Sequence, residues 1–274
     1  MNPVEKAKAF AALHQAGKPV MLYNIWDAGS ARVAVRAGAK AVATGSWSVA
    51  EAQGYEDGEA LPLALLETIA ARITASVSVP VSIDFEGGYA RDADTLYANA
   101  TRIIAAGAVG INFEDRIVSG GGLYPVEAQS SRISAIRSAA DDAGVPLFIN
   151  ARTDHFLAES DRAKHAALLS DTLERAEAYA HAGANGFFVP GLADLDLIAR
   201  VCEGTSLPVN VMMFDGMPPA SELARVGVAR ISFGPGPYRQ AMKDLDARYR
   251  EAVSDSLLVP RDAPDDVADI VGDQ

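Results

Sequence analysis

Short apolar segments alternate with longer amphipathic segments along the whole 274-residue chain. Four of the apolar segments follow a proline, and four follow a glycine of the kind that ends helices. In chain order these residues alternate strictly: Pro19, Gly38, Pro80, Gly107, Pro146, Gly183, Pro208 and Gly227. Proline suits the first residue of a strand, where no ladder donor is lost, and glycine suits the position after a helix. The pattern therefore predicts eight strands.

Stretches of helical period separate the predicted strands. One helix is predicted before the first strand, over residues 3–16, and eight more follow over residues 28–37, 61–76, 92–106, 126–143, 164–181, 193–202, 219–226 and 237–253. Strand–helix alternation favours parallel pairing, and eight such units predict an α/β fold, a closed (β/α)8 TIM-type barrel without sheet edges. We expect the first helix to plug the bottom of the barrel or to pack outside it.

The chain length fits a single barrel domain over residues 1–274, with its core at about residues 18–253. The acidic, proline-containing segment 254–274 is predicted to be a tail or an arm outside the core. The single cysteine, Cys202, excludes an internal disulfide and a cysteine-based metal cluster.

Composition and charge narrow the class of protein. An apolar fraction of 49% is enough for a substantial core, and no apolar run approaches the roughly 18 residues of a membrane span. The N-terminus has no basic-then-apolar signal pattern, so we expect a cytoplasmic protein with no membrane partner. A net charge of −12 argues against a nucleic-acid partner, because phosphate backbones require clustered Lys and Arg.

Carboxylates end two neighbouring strands of the predicted barrel, at the face where such barrels place their active sites. In an extended strand Asp84 and Glu86 would point to the same side, about 6.6 Å apart, and would repel without a cation or a shared proton. Glu114 ends the next strand. Three carboxylates without His or Cys favour a hard cation, Mg²⁺ or else Mn²⁺, over Zn²⁺. The sequence thus predicts metal binding by Asp84, Glu86 and Glu114.

Polar groups at the other strand ends predict a cradle for an anionic ligand. Arg152 follows the fifth strand, and its planar fork suits a carboxylate. Backbone N–H groups and hydroxyls of the second strand end suit the same ligand. The predicted substrate-binding residues are Thr44, Gly45, Ser46, Trp47, Asn112, Arg152 and Asn210. An ion-pair network without chemistry is the other interpretation, but acids from adjacent strands at this face favour a site.

These motifs resemble the isocitrate lyase/phosphoenolpyruvate mutase superfamily from about Pro19 to about Gly234. The resemblance rests on residues 26–32, 54–58, 84–89, 112–115, 150–154 and 208–210. It implies a (β/α)8 barrel that binds Mg²⁺ through Asp84, with Asp57, Glu86 and Glu114 holding the metal's waters. Members of the superfamily act on small 2-oxo or 2-hydroxy acids, and the metal stabilises an enolate. They are usually tetramers that swap a C-terminal helix, so the resemblance implies a homotetramer or dimer that swaps helix 237–253.

The chain departs from that superfamily in the lid after the fourth strand, residues 116–124. The lyases carry a Lys-Lys-Cys-Gly lid, and the phosphonate enzymes need Lys and Asn there, but this segment has no Cys, Lys or Asn. A tyrosine of the lyases is Ala43 here, and a glutamate after the sixth strand is Pro190. Tyr124 or a metal-bound water remains as the proton donor, although a tyrosine there can equally pack the closed lid.

The predicted function is a Mg²⁺-dependent carbon–carbon bond lyase or decarboxylase. Its substrate would be a small 2-oxo or 2-hydroxy di- or tricarboxylic acid, cleaved through a metal-stabilised enolate. The catalytic residues would be Arg152, Asp57 and Tyr124. Two alternatives stay open: a phosphonopyruvate-type P–C mutase or hydrolase, and a protein that binds 2-oxo acids but has lost its activity.

Overall fold

The computed structural model describes residues 1–118 and 120–254. Within these residues eight strands form one sheet in which all neighbours are parallel, in the order β1-β8-β7-β6-β5-β4-β3-β2. The strands are β1 Val20–Leu22, β2 Val42–Ala43, β3 Val81–Asp84, β4 Gly110–Glu114, β5 Phe148–Arg152, β6 Gly186–Phe188, β7 Val209–Met212 and β8 Arg230–Ser232.

Helices separate the strands as the amphipathic period predicts. They are α1 Pro3–Ala12, α2 Ala28–Arg36, α3 Ser46–Ala52, α4 Leu63–Ser76, α5 Ala93–Ala105, α6 Val126–Asp142, α7 His155–Ala158, α8 Leu169–His181, α9 Leu195–Gly204, α10 Ala220–Arg225 and α11 Gly236–Val253. A 3-10 helix, Arg162–Leu168, precedes α8. The short helices α3 and α7 lie outside the predicted helices and follow directly on strand ends.

The strand register sets side chains from neighbouring strands against each other at the barrel mouth. Along β4 and β5, Asn112 lies opposite Asn150 and Glu114 lies opposite Arg152. Between β1 and β2, in the part of the chain that the structure describes, the sheet contact is a single parallel bridge from Ile25 to Thr44. The sheet is therefore a nearly closed (β/α)8 barrel, and the predicted fold class is confirmed.

Helix α1 plugs the N-terminal end of the barrel. The ring of Phe10 is fully buried and meets the ring of Phe148 edge-on, with centroids 5.5 Å apart. Glycine at position 110 makes this possible, because a Cβ there would lie 2.5 Å from Phe10 Cε1. The ring of His14 stacks on the ring of Phe148, with centroids 4.0 Å apart, and also meets the ring of Phe10. One of the two predicted places for the first helix is thereby confirmed.

The chain divides into two compact units, Met1–Pro237 and Tyr238–Gln274. The first unit contains the barrel. The second contains most of α11 and is described as far as Ser254, so the predicted tail lies almost wholly outside the described residues. Apolar side chains exposed on α11 are Met242, Leu245, Tyr249 and Val253. No helix in the described ranges is both long and apolar enough to cross a membrane.

Candidate active site

A cavity of about 170 Å³ lies at the C-terminal ends of the barrel strands. Its lining divides into two parts that follow the strand order. Strands β2 to β5 and the loop after α3 supply the polar arc, defined as Ser46, Asp57, Asp84, Asn112 and Arg152. Strands β6 to β8 and helix α7 supply the apolar arc, defined as Leu157, Phe188, Pro190, Met212 and Pro235. A ligand here meets charges on one side and hydrocarbon on the other.

Asp84 ends β3 and is held by the second strand end. Its backbone N–H donates to Thr44 Oγ1 at 2.8 Å, and its Oδ2 accepts from the N–H of Ser46 at 3.0 Å. Its Oδ1 is buried and finds no hydrogen-bond partner among the described residues. A buried carboxylate oxygen without a donor is costly, so Oδ1 is the atom best placed to coordinate a cation. Thr44 therefore orients Asp84 and does not line the cavity.

The sequence predicted that Glu86 and Asp84 point to the same side of one strand, and this prediction was wrong. Strand β3 ends at Asp84, and Glu86 adopts a left-handed φ of +50° that reverses the chain. Its Oε2 accepts from the N–H groups of Gly58 and Glu59 at 2.9 and 2.8 Å, and Tyr89 donates to its Oε1 at 3.2 Å. Glu86 thus fixes the loop that carries Asp57 and does not line the cavity.

Arg152, the last residue of β5, forms ion pairs with two acids. Its Nη1 lies 3.1 Å from Glu114 Oε2, while Nε and Nη2 donate to the two oxygens of Asp154 at 2.5 and 2.9 Å. Burial opposes the charge, but the ion pairs with Glu114 and Asp154 outweigh it and raise the pKa of Arg152. Three of its five N–H groups have these partners, which leaves two that a ligand carboxylate can use.

The carboxylates around the cavity shift one another's pKa. Burial and the charge of Asp84 raise the pKa of Asp57, and burial with Asp57 and Asp84 raises the pKa of Glu86 to about 7. Burial also raises the pKa of Glu114, against the opposing effect of Arg152. A divalent cation would relieve this repulsion.

The acids fit a cation held mainly through water. Within the described ranges no three His, Cys, Asp or Glu side chains converge closely enough to form a metal cage. One direct ligand, Asp84, with acids around it suits Mg²⁺ or Mn²⁺, because such ions keep several of their waters. The residues that would hold the cation are Asp84 directly and Asp57 around its waters, while Glu86 and Glu114 add negative charge from outside the cavity lining. The observed donor set therefore fits the predicted metal.

Tyr124 does not reach this cavity. Its ring lies over the guanidinium of Arg132, 4.0 Å from centroid to Cζ, and its carbonyl accepts from Arg175 at 2.9 Å. It borders a separate cavity of about 290 Å³ together with Glu59 and Arg116. The lid tyrosine therefore packs, as the second interpretation of this residue expected.

Asn210 also does not line the ligand cavity. It is the second residue of β7, opposite Arg230, and is fully buried. Met212, two residues later on the same strand, takes the position at the cavity. By contrast, the predicted residues Gly45, Ser46 and Trp47 do line the cavity, where they begin α3. Asn210 thus lies on the predicted strand beside the cavity residues Phe188 and Ser232 but is not part of the lining, and its role in substrate binding stays a prediction.

Arg230 is a functional candidate that the sequence reasoning missed. It is fully buried in β8 and donates from Nη2 to Asn112 Oδ1 at 3.0 Å. A charged residue between the apolar residues Val228, Ala229 and Ile231 was the signal that could have found it.

The fold and the site define a class of protein, a (β/α)8 barrel whose mouth carries several acids and an arginine paired with two of them. The family model of phosphoenolpyruvate phosphomutase matches residues 10–253, and the chain belongs to this family. It is a member of the isocitrate lyase/phosphoenolpyruvate mutase superfamily, as the sequence motifs predicted. Named enzymes among its relatives are lyases, decarboxylases and mutases.

Individual relatives span most of the chain. An uncharacterized protein of Mycobacterium tuberculosis is 33% identical over 93% of each chain. The 2-methylisocitrate lyase of Escherichia coli K12 is 29% identical over 77% of this chain and 71% of its own. A provisionally assigned phosphonomutase from Burkholderia cenocepacia J2315 is 48% identical, with a TM-score of 0.89 over 92% of this chain and all of its own.

The fold also recurs in a solved phosphonopyruvate hydrolase that contains oxalate and Mg²⁺. That chain is 18% identical, with a TM-score of 0.81 over 97% of this chain and 94% of its own. At this identity the similarity concerns the fold alone.

Proposed function

We propose that the protein is a Mg²⁺-dependent carbon–carbon bond lyase or decarboxylase for a small 2-oxo or 2-hydroxy di- or tricarboxylic acid. The observation that carries this proposal is the free, buried Oδ1 of Asp84, surrounded by acids with raised pKa and facing the same cavity as Arg152. Mg²⁺, or Mn²⁺ in its place, would supply a Lewis acid that stabilises negative charge at the substrate's 2-oxo oxygen during cleavage.

The residues of the polar arc bind and orient the substrate in this proposal. Arg152 grips a carboxylate with its two remaining N–H groups, and the ion pairs to Glu114 and Asp154 keep its side chain from moving. Gly45, Ser46 and Trp47 border the same anion with backbone and side-chain groups. Because substrate groups are fixed before reaction, little reorganisation remains for the cleavage step.

Asp57 is the residue we assign to proton transfer. It lines the cavity, where its carboxylate can exchange a proton with a bound ligand, and burial together with the charge of Asp84 raises its pKa. Tyr124 packs on Arg132 outside the cavity, so the structure favours Asp57 over Tyr124 for this role.

The central test removes the charge of Asp84. Asp84→Asn keeps the shape of the side chain but loses the anionic ligand, so Mg²⁺ affinity measured by calorimetry should fall sharply. Mg²⁺-dependent turnover of a panel of 2-oxo and 2-hydroxy acids should fall by more than the roughly 10- to 100-fold typical of outer metal partners. Asp92→Asn is the matched control, because Asp92 caps α5 at an exposed position. Undiminished turnover by Asp84→Asn would refute the proposal.

A P–C bond mutase or hydrolase is the second candidate, and the 48% identity to the Burkholderia protein favours it. The lid without Lys and Asn argues the other way. Incubation of phosphonopyruvate with the purified protein, followed by ³¹P NMR, separates the two candidates. Tight 2-oxo-acid binding without turnover of any substrate would instead indicate a binding protein.

A further inference from the structure

Just below the cavity, polar side chains fill the barrel interior. Arg230 is the largest of them, and in the described part of the chain it forms no ion pair. Burial lowers the pKa of Arg230 to about 9, although the charge of Asp84 above it opposes this shift. Burying an arginine without a paired acid is unfavourable. Because the burial of this charge is unfavourable, we expect the hydrogen bonds of Arg230 to contribute to the site above it.

The hydrogen bonds of this layer converge on a single oxygen. Asn112 Oδ1 accepts from Arg230 Nη2 at 3.0 Å and from Asn150 Nδ2 at 2.9 Å. Arginine has donors and no acceptor, so the atom of Asn112 that faces it must be the oxygen. Both lone pairs of that oxygen are thereby occupied. The two donors, Arg230 and Asn150, therefore fix the orientation of the Asn112 amide.

The fixed orientation decides which end of the amide a ligand meets. Asn112 lines the cavity, and its oxygen is held by the two donors in the interior. Its NH2 group is therefore the end available to a ligand. We infer that Arg230 is a positioning residue that, with Asn150, locks Asn112 as a hydrogen-bond donor to the bound anion.

This donor suits the ligand chemistry of the proposed function, on which this part of the inference rests. A 2-oxo carboxylate carries acceptor oxygens and no N–H groups. A flipped Asn112 would present its own oxygen and repel such a ligand, whereas the locked amide donates to it. Arg230 thus acts on substrate affinity through Asn112 without touching the substrate.

The test uses oxalate, a small 2-oxo-acid mimic, with the full-length protein loaded with Mg²⁺. Arg230→Met should weaken oxalate binding in calorimetry about tenfold or more, whereas Mg²⁺ affinity without oxalate should not fall, because the change removes a positive charge near Asp84. Asn112→Leu should cause the same loss, and the double variant should show no further loss, because both changes remove one interaction. Arg230→Lys, which keeps a donor and the charge, should restore part of the affinity.

Arg137→Met is the matched control, since Arg137 is a half-buried arginine that donates to Leu147 and Asn185 far from the mouth. It should leave oxalate affinity unchanged. Should Arg230→Met fail to fold, Asn150→Ala, which removes the second donor to the same oxygen, replaces it. Losses that add in the double variant, or an Arg230→Met protein that binds oxalate normally, would overturn the inference.

A second measurement separates this inference from the proposed function. The side-chain amide signals of Asn112 in ¹⁵N NMR, identified by their loss in Asn112→Leu, should shift in Arg230→Met and stay in place in Arg137→Met. This result supports the positioning role even if the protein turns over no 2-oxo acid. Unmoved Asn112 signals in Arg230→Met would refute the positioning role whatever the activity.

Discussion

His14 is a buried histidine that stays uncharged in the folded protein. Its ring stacks on Phe148, and its Nδ1 lies 2.9 Å from the carbonyl of Phe10, to which it donates when that nitrogen carries the proton. Burial and the nearby charge of Arg230 lower the pKa of His14 from 6.5 to about 3. The unfolded chain therefore binds a proton at this residue across a pH range in which the folded chain does not.

This difference predicts a specific loss of stability in acid. As pH falls from 6.5 towards 3, the unfolded state gains a proton on His14 that the folded state lacks, so the free energy of unfolding decreases. The slope is at most about 1.4 kcal/mol per pH unit. His14→Phe keeps the ring contact without titrating, so urea unfolding at pH 7, 6 and 5 should show a smaller decrease for this variant. Equal decreases in both proteins would contradict the prediction.

The sequence predicted single residues well where they lie in regular strands. Asp84 and Arg152 end β3 and β5, Asn112 lies in the middle of β4, and all three line one cavity at the mouth of the barrel. The side-chain alternation failed at Glu86, because a left-handed backbone angle there cannot be derived from strand periodicity. Alternation also could not tell that Asn210 is left out of the cavity lining while Met212 on the same strand is part of it.

Among the elements, the join between β1 and β2 is the least supported part of the sheet. It has one backbone hydrogen bond in the described residues, from Ile25 N–H to the Ala43 carbonyl at 2.9 Å. The Asn24 side chain adds a bond to the Thr44 carbonyl at 2.8 Å. Strands β4 and β5, in contrast, are in register over five residue pairs. Local opening should therefore require the least free energy at this join.

Hydrogen exchange followed by NMR tests this expectation. The amide of Ile25 should exchange faster than the amides of β4 and β5. Asn24→Ala, which removes the side-chain bond across the join, should accelerate Ile25 further and leave β4 unchanged. Protection of Ile25 equal to that of β4 in the wild-type protein would show that the join is not a weak point.

The sequence predicted all eight strands in the correct order, because proline and glycine alternate regularly before them. It missed α3 and α7, which have seven and four residues and are too short to show a helical period. Both begin three residues after the last residue of a strand, so the sequence cues of a loop and of a helix start overlap there. Because these two helices were not predicted, nothing in the sequence indicated how Ser46 is oriented or that Leu157 contributes an apolar side chain to the cavity.

At the scale of the whole molecule, two apolar surfaces suggest association between copies. Met242, Leu245, Tyr249 and Val253 recur at spacings of three and four residues, which places them on one face of α11. A groove of about 910 Å³ borders β1 and α2 on the barrel unit, with exposed Met21, Tyr23 and Val33. We propose a homotetramer or dimer in which α11 of a neighbouring copy covers this groove.

A pair of matched substitutions on α11 tests the association. Leu245→Asp puts a charge on the apolar face, where it should be expelled from an interface and lower the molar mass in size-exclusion chromatography with light scattering. Ala247→Asp introduces the same charge two residues later, about 200° around the helix, and should leave the mass unchanged. An unchanged mass for Leu245→Asp would exclude this face as the interface.

The two arcs of the cavity have a consequence for how such a protein can diversify. The groups we assign to the reacting end of the ligand stand on β2 to β5, while Phe188, Met212 and Pro235 stand on or after β6, β7 and β8. Substitutions in the second set can reshape the space around a substrate's tail without disturbing the carboxylates. Under the proposed function, reactivity and choice of substrate would therefore be encoded by separate segments of the chain, so that natural variation could change one while preserving the other.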